Sequence, residues 1–122
     1  MTVRRGEIHF VDLDPTRGHE QRGRRPVLVV SADAINRQPL VVTVVVGTSA
    51  ERISNDYPVN VRVLATESGL DRDTVFLCFQ LRSLDHTRFN RPDGAPPAPA
   101  GHLGLDRMCE VDEAIRLVLA LT

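Results

Sequence analysis

Tryptophan and lysine are absent from this 122-residue chain, and aromatic side chains make up only 4% of it. Modules that recognise proline-rich peptides line their grooves with aromatic rings, so this composition argues against a module of that kind. The longest apolar stretch, Leu40 to Val46, is far too short to cross a bilayer. The first residues also lack the apolar segment of a secretion signal. From these absences we expect a cytoplasmic protein that does not enter a membrane.

Cysteine is scarce as well, since Cys78 and Cys109 are the only two, and they lie on different predicted elements. One disulfide between them is an open alternative, but two buried thiols in a reducing compartment are the preferred interpretation. No Cys-x-x-Cys pair occurs, and no histidine stands beside a cysteine. The histidines also lack the spacing of metal ligands; they are His9, His19, His86 and His102. The sequence therefore predicts no metal site and no cofactor.

The basic residues are all arginine, fifteen against sixteen acidic residues, which gives a net charge of -1. Their distribution along the chain is uneven. One short segment with glycines holds four of them, namely Arg17, Arg22, Arg24 and Arg25. Because the planar guanidinium group donates parallel hydrogen bonds that match the oxygens of a phosphate, this segment is a candidate phosphate-binding site.

Apolar periodicity predicts a mainly β, α+β fold in one domain over residues 1–122. The predicted strands are Glu7–Leu13, Pro26–Ser31, Leu40–Val46, Pro58–Val63 and Thr74–Leu84. Gly47-Thr48-Ser49 is expected to break the third strand, and Thr74–Leu84 is either one long strand or two strands with a bend near Phe79-Gln80. A helical turn is predicted at Asp33–Asn36, and a helix over Gly101–Leu121 presents one apolar stripe; the stripe consists of Leu105, Met108, Val111, Ile115 and Val118. So few helices predict a small antiparallel sheet that curls into a barrel, with the C-terminal helix on one face.

The polar segment between the first two predicted strands carries the strongest candidate site. It brings Arg25 directly onto the start of the buried strand at Pro26, and a guanidinium group on rigid backbone is positioned more accurately than one on a free loop. His19, in the same segment, exchanges a proton near neutral pH. Glu20 and Gln21 are candidates to orient His19 or to bind a base edge. The alternative is a solvated hairpin loop whose charges only maintain solubility.

Two further segments hold candidate residues. Thr48 and Ser49 follow the valine-rich strand, where their hydroxyl groups are able to donate to a phosphate oxygen. Threonine and serine also commonly end a strand and begin a turn with no further role. Gln80 and Arg82 have the two-residue spacing that places side chains on one face of a strand. That pair suits a base edge or a phosphate, or it is the exposed side of an edge strand.

The order of these segments resembles the MazF/PemK/Kid family of toxin endoribonucleases. The resemblance covers essentially the whole chain. The matching residues are Arg5-Gly6-Glu7, Asp14-Pro15-x-x-Gly-His-Glu-Gln, Gly23 through Val30, Thr48-Ser49, Gln80-x-Arg-Ser-x-Asp85 and Met108-x-x-Val111. It implies an SH3-related barrel-like sheet with a C-terminal helix, and a homodimer. It also implies cleavage of single-stranded RNA, usually mRNA, to a 2′,3′-cyclic phosphate and a 5′-hydroxyl end. A cognate antitoxin would lay an acidic C-terminal tail along the RNA groove.

The resemblance also suggests roles for individual residues. Arg25 and Thr48 match positions that the family uses for catalysis, and His19 matches the histidine of Kid-like members. The RNA-binding set that we expect is Arg17, Glu20, Gln21, Arg24, Ser49, Gln80 and Arg82.

One departure from the family pattern bears on the mechanism. Many members carry a carboxylate immediately before the glutamine of the third segment, and Kid-like members have an arginine two positions earlier. Here those positions hold Phe79 and Leu77. A mechanism that uses that carboxylate as the base cannot operate in this chain. Either His19 or Glu20 takes over its work, or the chain is a weak or inactive member.

The expected reaction needs a base for the 2′-hydroxyl, stabilisation of the phosphorane and an acid for the 5′-oxygen. We hypothesise that Arg25 stabilises the developing charge, because a guanidinium group stays protonated in proteins and is therefore unsuited to proton transfer as its main role. His19 is then the acid or base, and Thr48 bonds to the phosphate. The rival is a poison of the gyrase-binding CcdB type, which shares the general fold. Its members rely on a C-terminal tail that contains tryptophan, and this chain has none.

Overall fold

The computed structural model describes residues 3–20, 23–38 and 40–122. Its main element is a six-stranded sheet in the order β4-β5-β3-β2-β1-β6, with every neighbouring pair antiparallel. The strands are β1 (Glu7–Asp12), β2 (Arg24–Val29), β3 (Val41–Ser49), β4 (Asn60–Val63), β5 (Thr74–Asp85) and β6 (Gly101–His102). The helices are α1 (Asp33–Asn36), α2 (Ala65–Ser68) and α3 (Leu105–Leu119), and single 3₁₀ turns occupy Ala50–Arg52 and His86–Phe89. The predicted mainly β, antiparallel fold with a C-terminal helix is confirmed, as a curled half-barrel.

Apolar side chains cover both faces of the sheet, and this arrangement explains the uninterrupted valines of β2. Leu28 belongs to a cluster that also contains Phe76 of β5 and Val111 of α3. Val27 and Val29, on the opposite face, belong to a second cluster. Because successive side chains of a strand point to opposite faces, a strand with core on both sides must be apolar at every position. The prediction that this strand is buried on both faces is confirmed.

The third strand is longer than the sequence suggested. Gly47, Thr48 and Ser49 do not break β3; they pair with β5 through to Thr74. Gly47 is required by close packing rather than by a turn, because a Cβ atom there would lie 3.0 Å from the Phe76 ring. The expectation of a break at these three residues was therefore wrong, and β3 carries Thr48 into the sheet.

Of the two alternatives for this segment, the structure shows one long strand, β5, which carries an irregularity near Phe79-Gln80. Val45 pairs with Leu81, whereas the next residue, Val46, pairs with Leu77, so three residues of β5 bulge out of the register. A bulge of this kind redirects side chains and increases the local twist. It gives Phe79 an exposed fraction of 51%.

The C-terminal helix packs against the sheet through Met108, Val111 and Ala114. Leu105, which we expected in the apolar stripe, is 85% exposed. It occupies the first position of the helix, next to the N-cap Gly104, so the stripe reaches the core only from Met108 onward. No helix in the described part of the chain is both long and apolar enough to span a membrane.

The two cysteines differ in environment. Both are free thiols, but Cys109 is exposed whereas Cys78 is buried. Burial raises the pKa of the Cys78 thiol to about 12. The prediction of two buried thiols holds only for Cys78 and was wrong for Cys109, which follows Met108 and is rotated about 100° away from the sheet.

Candidate functional site

A groove of about 530 Å³ opens beside the first residues of β2. We call it the arginine groove because four guanidinium groups line it against two carboxylates, an excess of two formal positive charges. The charged lining residues are Arg24, Arg25, Arg52, Arg72, Glu51 and Asp71. Phe10, Pro26 and Ser49 line it as well. A concave surface with clustered guanidinium groups is suited to an anion that carries several phosphates.

The two predicted catalytic residues lie on neighbouring strands. Arg25 is half-buried and pairs with Val11 of β1. The ladder between β2 and β3 ends with the pair Val27 and Val46, and Arg25 and Thr48 each lie two residues beyond that pair. Residues two apart in a strand share a face, so the two side chains stand on the same face of the sheet. Thr48 itself is only 2% exposed and is not among the residues that line the arginine groove.

The segment between β1 and β2 (residues 13–23, here called the arginine loop) is closed at its base by three sets of hydrogen bonds. The Leu13 amide donates to the Gly23 carbonyl at 2.9 Å. The Asp14 carboxylate accepts from the Gly23 amide at 3.2 Å. The guanidinium group of Arg88 donates to the carbonyls of Asp12 and Asp14, at 2.8 and 3.2 Å. These hydrogen bonds anchor the backbone immediately before Arg24 and Arg25, the residues that follow the loop.

The other end of the loop rests on the bulge of β5. The Gln80 side-chain amide donates to the His19 carbonyl at 3.2 Å. His19 is exposed and does not line the arginine groove. The Glu20 carboxylate accepts from the Arg17 amide within the loop, so it stabilises a local turn. Gln21, the fourth loop residue of the predicted set, lies outside the described residues.

The predicted site residues therefore fall into two groups. Arg24, Arg25 and Ser49 meet in the arginine groove, with Thr48 beside them. His19 and Gln80 meet at the β5 bulge, away from the groove lining. Arg82 is half-buried on β5 opposite Val44. Leu81, between Gln80 and Arg82, packs against the core, which leaves that pair directed away from this cluster.

Sequence reasoning missed one wall of the arginine groove. This wall consists of Glu51, Arg52, Asp71 and Arg72, and it includes an ion pair in which Arg72 Nη1 lies 3.0 Å from Glu51 Oε1. The two segments are brought together because Ser49 pairs with Thr74. The sequence contains one signal of this wall, because the pairs Glu51-Arg52 and Asp71-Arg72 lie close to strand ends. Only the pairing of β3 with β5 brings the two pairs together.

Among the described residues, no group of three or more His, Cys, Asp or Glu side chains is arranged to hold a metal ion. Guanidinium groups, which suit phosphate, outnumber carboxylates among the charged side chains of the arginine groove. The groove thus combines clustered guanidinium groups with an exposed aromatic ring, Phe10, in one concave surface, and the buried Thr48 lies outside its lining.

Comparison with known proteins gives a consistent picture. Residues 4–119 match the family described as PemK-like, MazF-like toxin of type II toxin–antitoxin system. The chain is 35% identical over 122 residues to endoribonuclease EndoA of Bacillus subtilis (strain 168), covering 99% of this chain and 97% of that protein. It is 39% identical over 124 residues to endoribonuclease MazF9 of Mycobacterium tuberculosis, covering 98% of both.

Solved structures agree with these relatives. The fold resembles that of MazF from Deinococcus radiodurans, with a TM-score of 0.78 at 27% identity over 99% of each chain. It also resembles a MazE–MazF structure from the same organism, with a TM-score of 0.74 at 27% identity, covering 100% of this chain and 99% of that one.

Proposed function

The chain belongs to the PemK-like, MazF-like toxins of type II toxin–antitoxin systems, and from that premise we propose that it is an endoribonuclease that cuts single-stranded RNA in the arginine groove. The products would be a 2′,3′-cyclic phosphate and a 5′-hydroxyl end. The observation that carries the proposal is the position of Arg25, half-buried at the start of β2 and among the residues that line that groove. A cation fixed in this way is most effective where negative charge develops on a phosphodiester.

The residues of the site divide the work of cleavage. Arg25 stabilises the phosphorane electrostatically, and Arg24 binds a neighbouring phosphate. The hydroxyl group of Thr48 donates to the scissile phosphate. Ser49, at the end of β3, lies in the same groove and contacts the RNA backbone.

Proton transfer falls to His19 in this scheme, because Phe79 offers no carboxylate and Glu20 is engaged with the Arg17 amide. His19 is exposed and lies outside the groove lining. Arg17, Gln80 and Arg82 contact the RNA along the path between the loop and the groove. No metal ion takes part in this chemistry, since the charge stabilisation comes from guanidinium groups.

The test is cleavage of a long unstructured RNA in the presence of EDTA. Arg25→Ala should cut at least about 10²-fold more slowly than the wild type, which is the usual cost of removing a positioned charge-stabilising group. Arg91→Ala is the matched control, because it removes an exposed arginine that does not line the groove. Thermal unfolding confirms that both variants are folded. Wild-type rates in Arg25→Ala would refute the assignment.

Sequencing the new 5′-hydroxyl ends identifies the cleavage motif and the chemistry of the products. Loss of all cleavage in EDTA would refute the metal-free mechanism. RNA that binds in the groove but is never cut would identify the chain as an inactive member, with Phe79 and Leu77 as the cause.

The same site accounts for the partners that we propose. Structures of MazE–MazF complexes are among those that this fold resembles, and an antitoxin tail rich in carboxylates would occupy the arginine groove in place of phosphates. Such binding should weaken steeply with added salt. We also propose that the protein works as a homodimer in the cytoplasm, where its mRNA substrate is found; sedimentation at several concentrations tests the dimer.

A further inference from the structure

Phe10 has an unusual position for one of only five aromatic side chains in the chain. It lies within β1, yet 41% of it is exposed, whereas its neighbours His9 and Val11 are 3% and 0% exposed. Its ring lines the arginine groove, and its residue pairs with Pro26 of β2. The proposed cleavage chemistry does not use it.

The position of Phe10 follows from where the core ends. Ile8, two residues earlier on the same face of β1, is fully buried in the cluster beneath α3. Beyond it that face leaves the core, and Phe10 lines the groove together with Arg24, Arg52 and Arg72. A single exposed apolar side chain is ordinary on a protein surface, but a phenyl ring enclosed in a cationic groove offers a specific recognition chemistry.

We propose that Phe10 is a stacking platform on which one unpaired base of the RNA lies while the flanking phosphates contact the arginines. Proteins that bind single strands combine a cationic groove with aromatic rings in this way, because every base has a π-face. The bases of a duplex are already stacked on each other and do not offer that face. Phe10 therefore selects single-stranded over double-stranded substrate. This inference rests on the proposed function and adds the residue that recognises the base.

The absence of tryptophan from the chain allows a direct measurement. Phe10→Trp introduces a single indole into the groove, and its fluorescence reports contact with a base. The probe is an oligodeoxynucleotide, which lacks the 2′-hydroxyl and is not cleaved. Leu105→Trp is the control, since that position is 85% exposed and does not line the groove. We expect saturable quenching in Phe10→Trp with a single strand, and no quenching in Leu105→Trp.

A second set of variants separates stacking from apolar bulk. Phe10→Leu retains an apolar side chain but removes the π-face, so single-strand binding should weaken about tenfold, equivalent to about 1.4 kcal/mol. Phe10→Tyr retains the ring and should bind like the wild type. Tyr57→Leu removes an aromatic ring that is 57% exposed outside the groove and should have no effect.

Three results would overturn the proposal. The first is that Phe10→Leu binds the single strand as tightly as the wild type does. The second is that the fluorescence of the indole in Phe10→Trp does not change when the strand binds. The third is that Phe10→Leu sediments differently with unchanged strand affinity, which would place the ring in a protein interface. Failure of the proposed function is a separate outcome. If the wild type stacks the strand but never cuts RNA, the cleavage proposal fails and the stacking platform stands; if it cuts RNA while Phe10→Leu binds normally, only the platform fails.

Discussion

Neutralising Glu51 should tighten the binding of RNA. In the structure its carboxylate pairs with Arg72 at the edge of the arginine groove, and both side chains are 73% exposed. An exposed pair of this kind contributes at most about 1 kcal/mol to folding, so Glu51→Gln should remain stable. Within the groove, however, the substitution removes a charge that repels phosphate and frees a guanidinium group to bind it.

The magnitude follows from the two contributions. A unit charge at about 6 Å from a phosphate in water contributes about 0.7 kcal/mol, and physiological salt screens roughly half of this. One additional contact from Arg72 to a phosphate adds a contribution of similar size, for a total of about 0.7 kcal/mol, or about threefold in affinity. The salt dependence should also steepen, by a slope of about 0.7 for one more phosphate contact on a single strand.

The assay is fluorescence anisotropy with a labelled oligodeoxynucleotide, between about 50 and 200 mM salt. Glu113→Gln is the matched control: it changes the net charge equally and releases Arg116, which lies 3.4 Å away on α3, outside the groove. Long-range attraction alone would tighten both variants equally. Equal gains in the two variants, or no gain in Glu51→Gln, would refute the placement of Glu51 and Arg72 at the RNA site.

Two further predictions concern the anchored loop and the thiols. Arg88→Ala releases the carbonyls of Asp12 and Asp14, so amide hydrogen exchange in the arginine loop should accelerate and KM should rise more than kcat falls. Arg88→Lys should restore part of the loss, and Arg91→Ala should have no effect. Unchanged hydrogen exchange in Arg88→Ala would contradict the anchoring role. A thiol reagent at about pH 8 should modify one thiol in the native protein and two after denaturation. The reactive form is the thiolate, and Cys109 is exposed whereas burial raises the pKa of Cys78 to about 12. Modification of two thiols in the native protein would refute this prediction.

Local sequence patterns were sufficient for one half of the site. The loop that leads into Arg25 and the fully buried strand after it are both encoded by neighbouring residues. Alternation and turn residues act over a few positions, so these features were accessible without tertiary information. The continuation of β3 through Thr48 was not, because it depends on Gly47 fitting against Phe76 of another strand.

The second wall of the groove depends on long-range pairing. Glu51 and Arg72 lie 21 positions apart and meet only because the ends of β3 and β5 are hydrogen-bonded. Phe10 shows the same limit in another form. Alternation correctly places Ile8 and Phe10 on one face, but where that face leaves the core depends on the elements that cover it. The periodicity of a strand predicts which face of the sheet a side chain lies on, whereas the tertiary fold determines how deeply the side chain is buried.

The arginine loop is held by residues far downstream of it. Gln80 and Arg88 are separated by 61 and 74 positions from the loop residues that they bind, His19 and Asp14. Translation proceeds at about 5–20 residues per second, so the loop of a nascent chain lacks these hydrogen-bond partners for several seconds. Fragments released by a stalled ribosome before β5 would contain Arg25 but not the scaffold that immobilises its surroundings. The proposed nuclease site is therefore completed only after β5 has been synthesised.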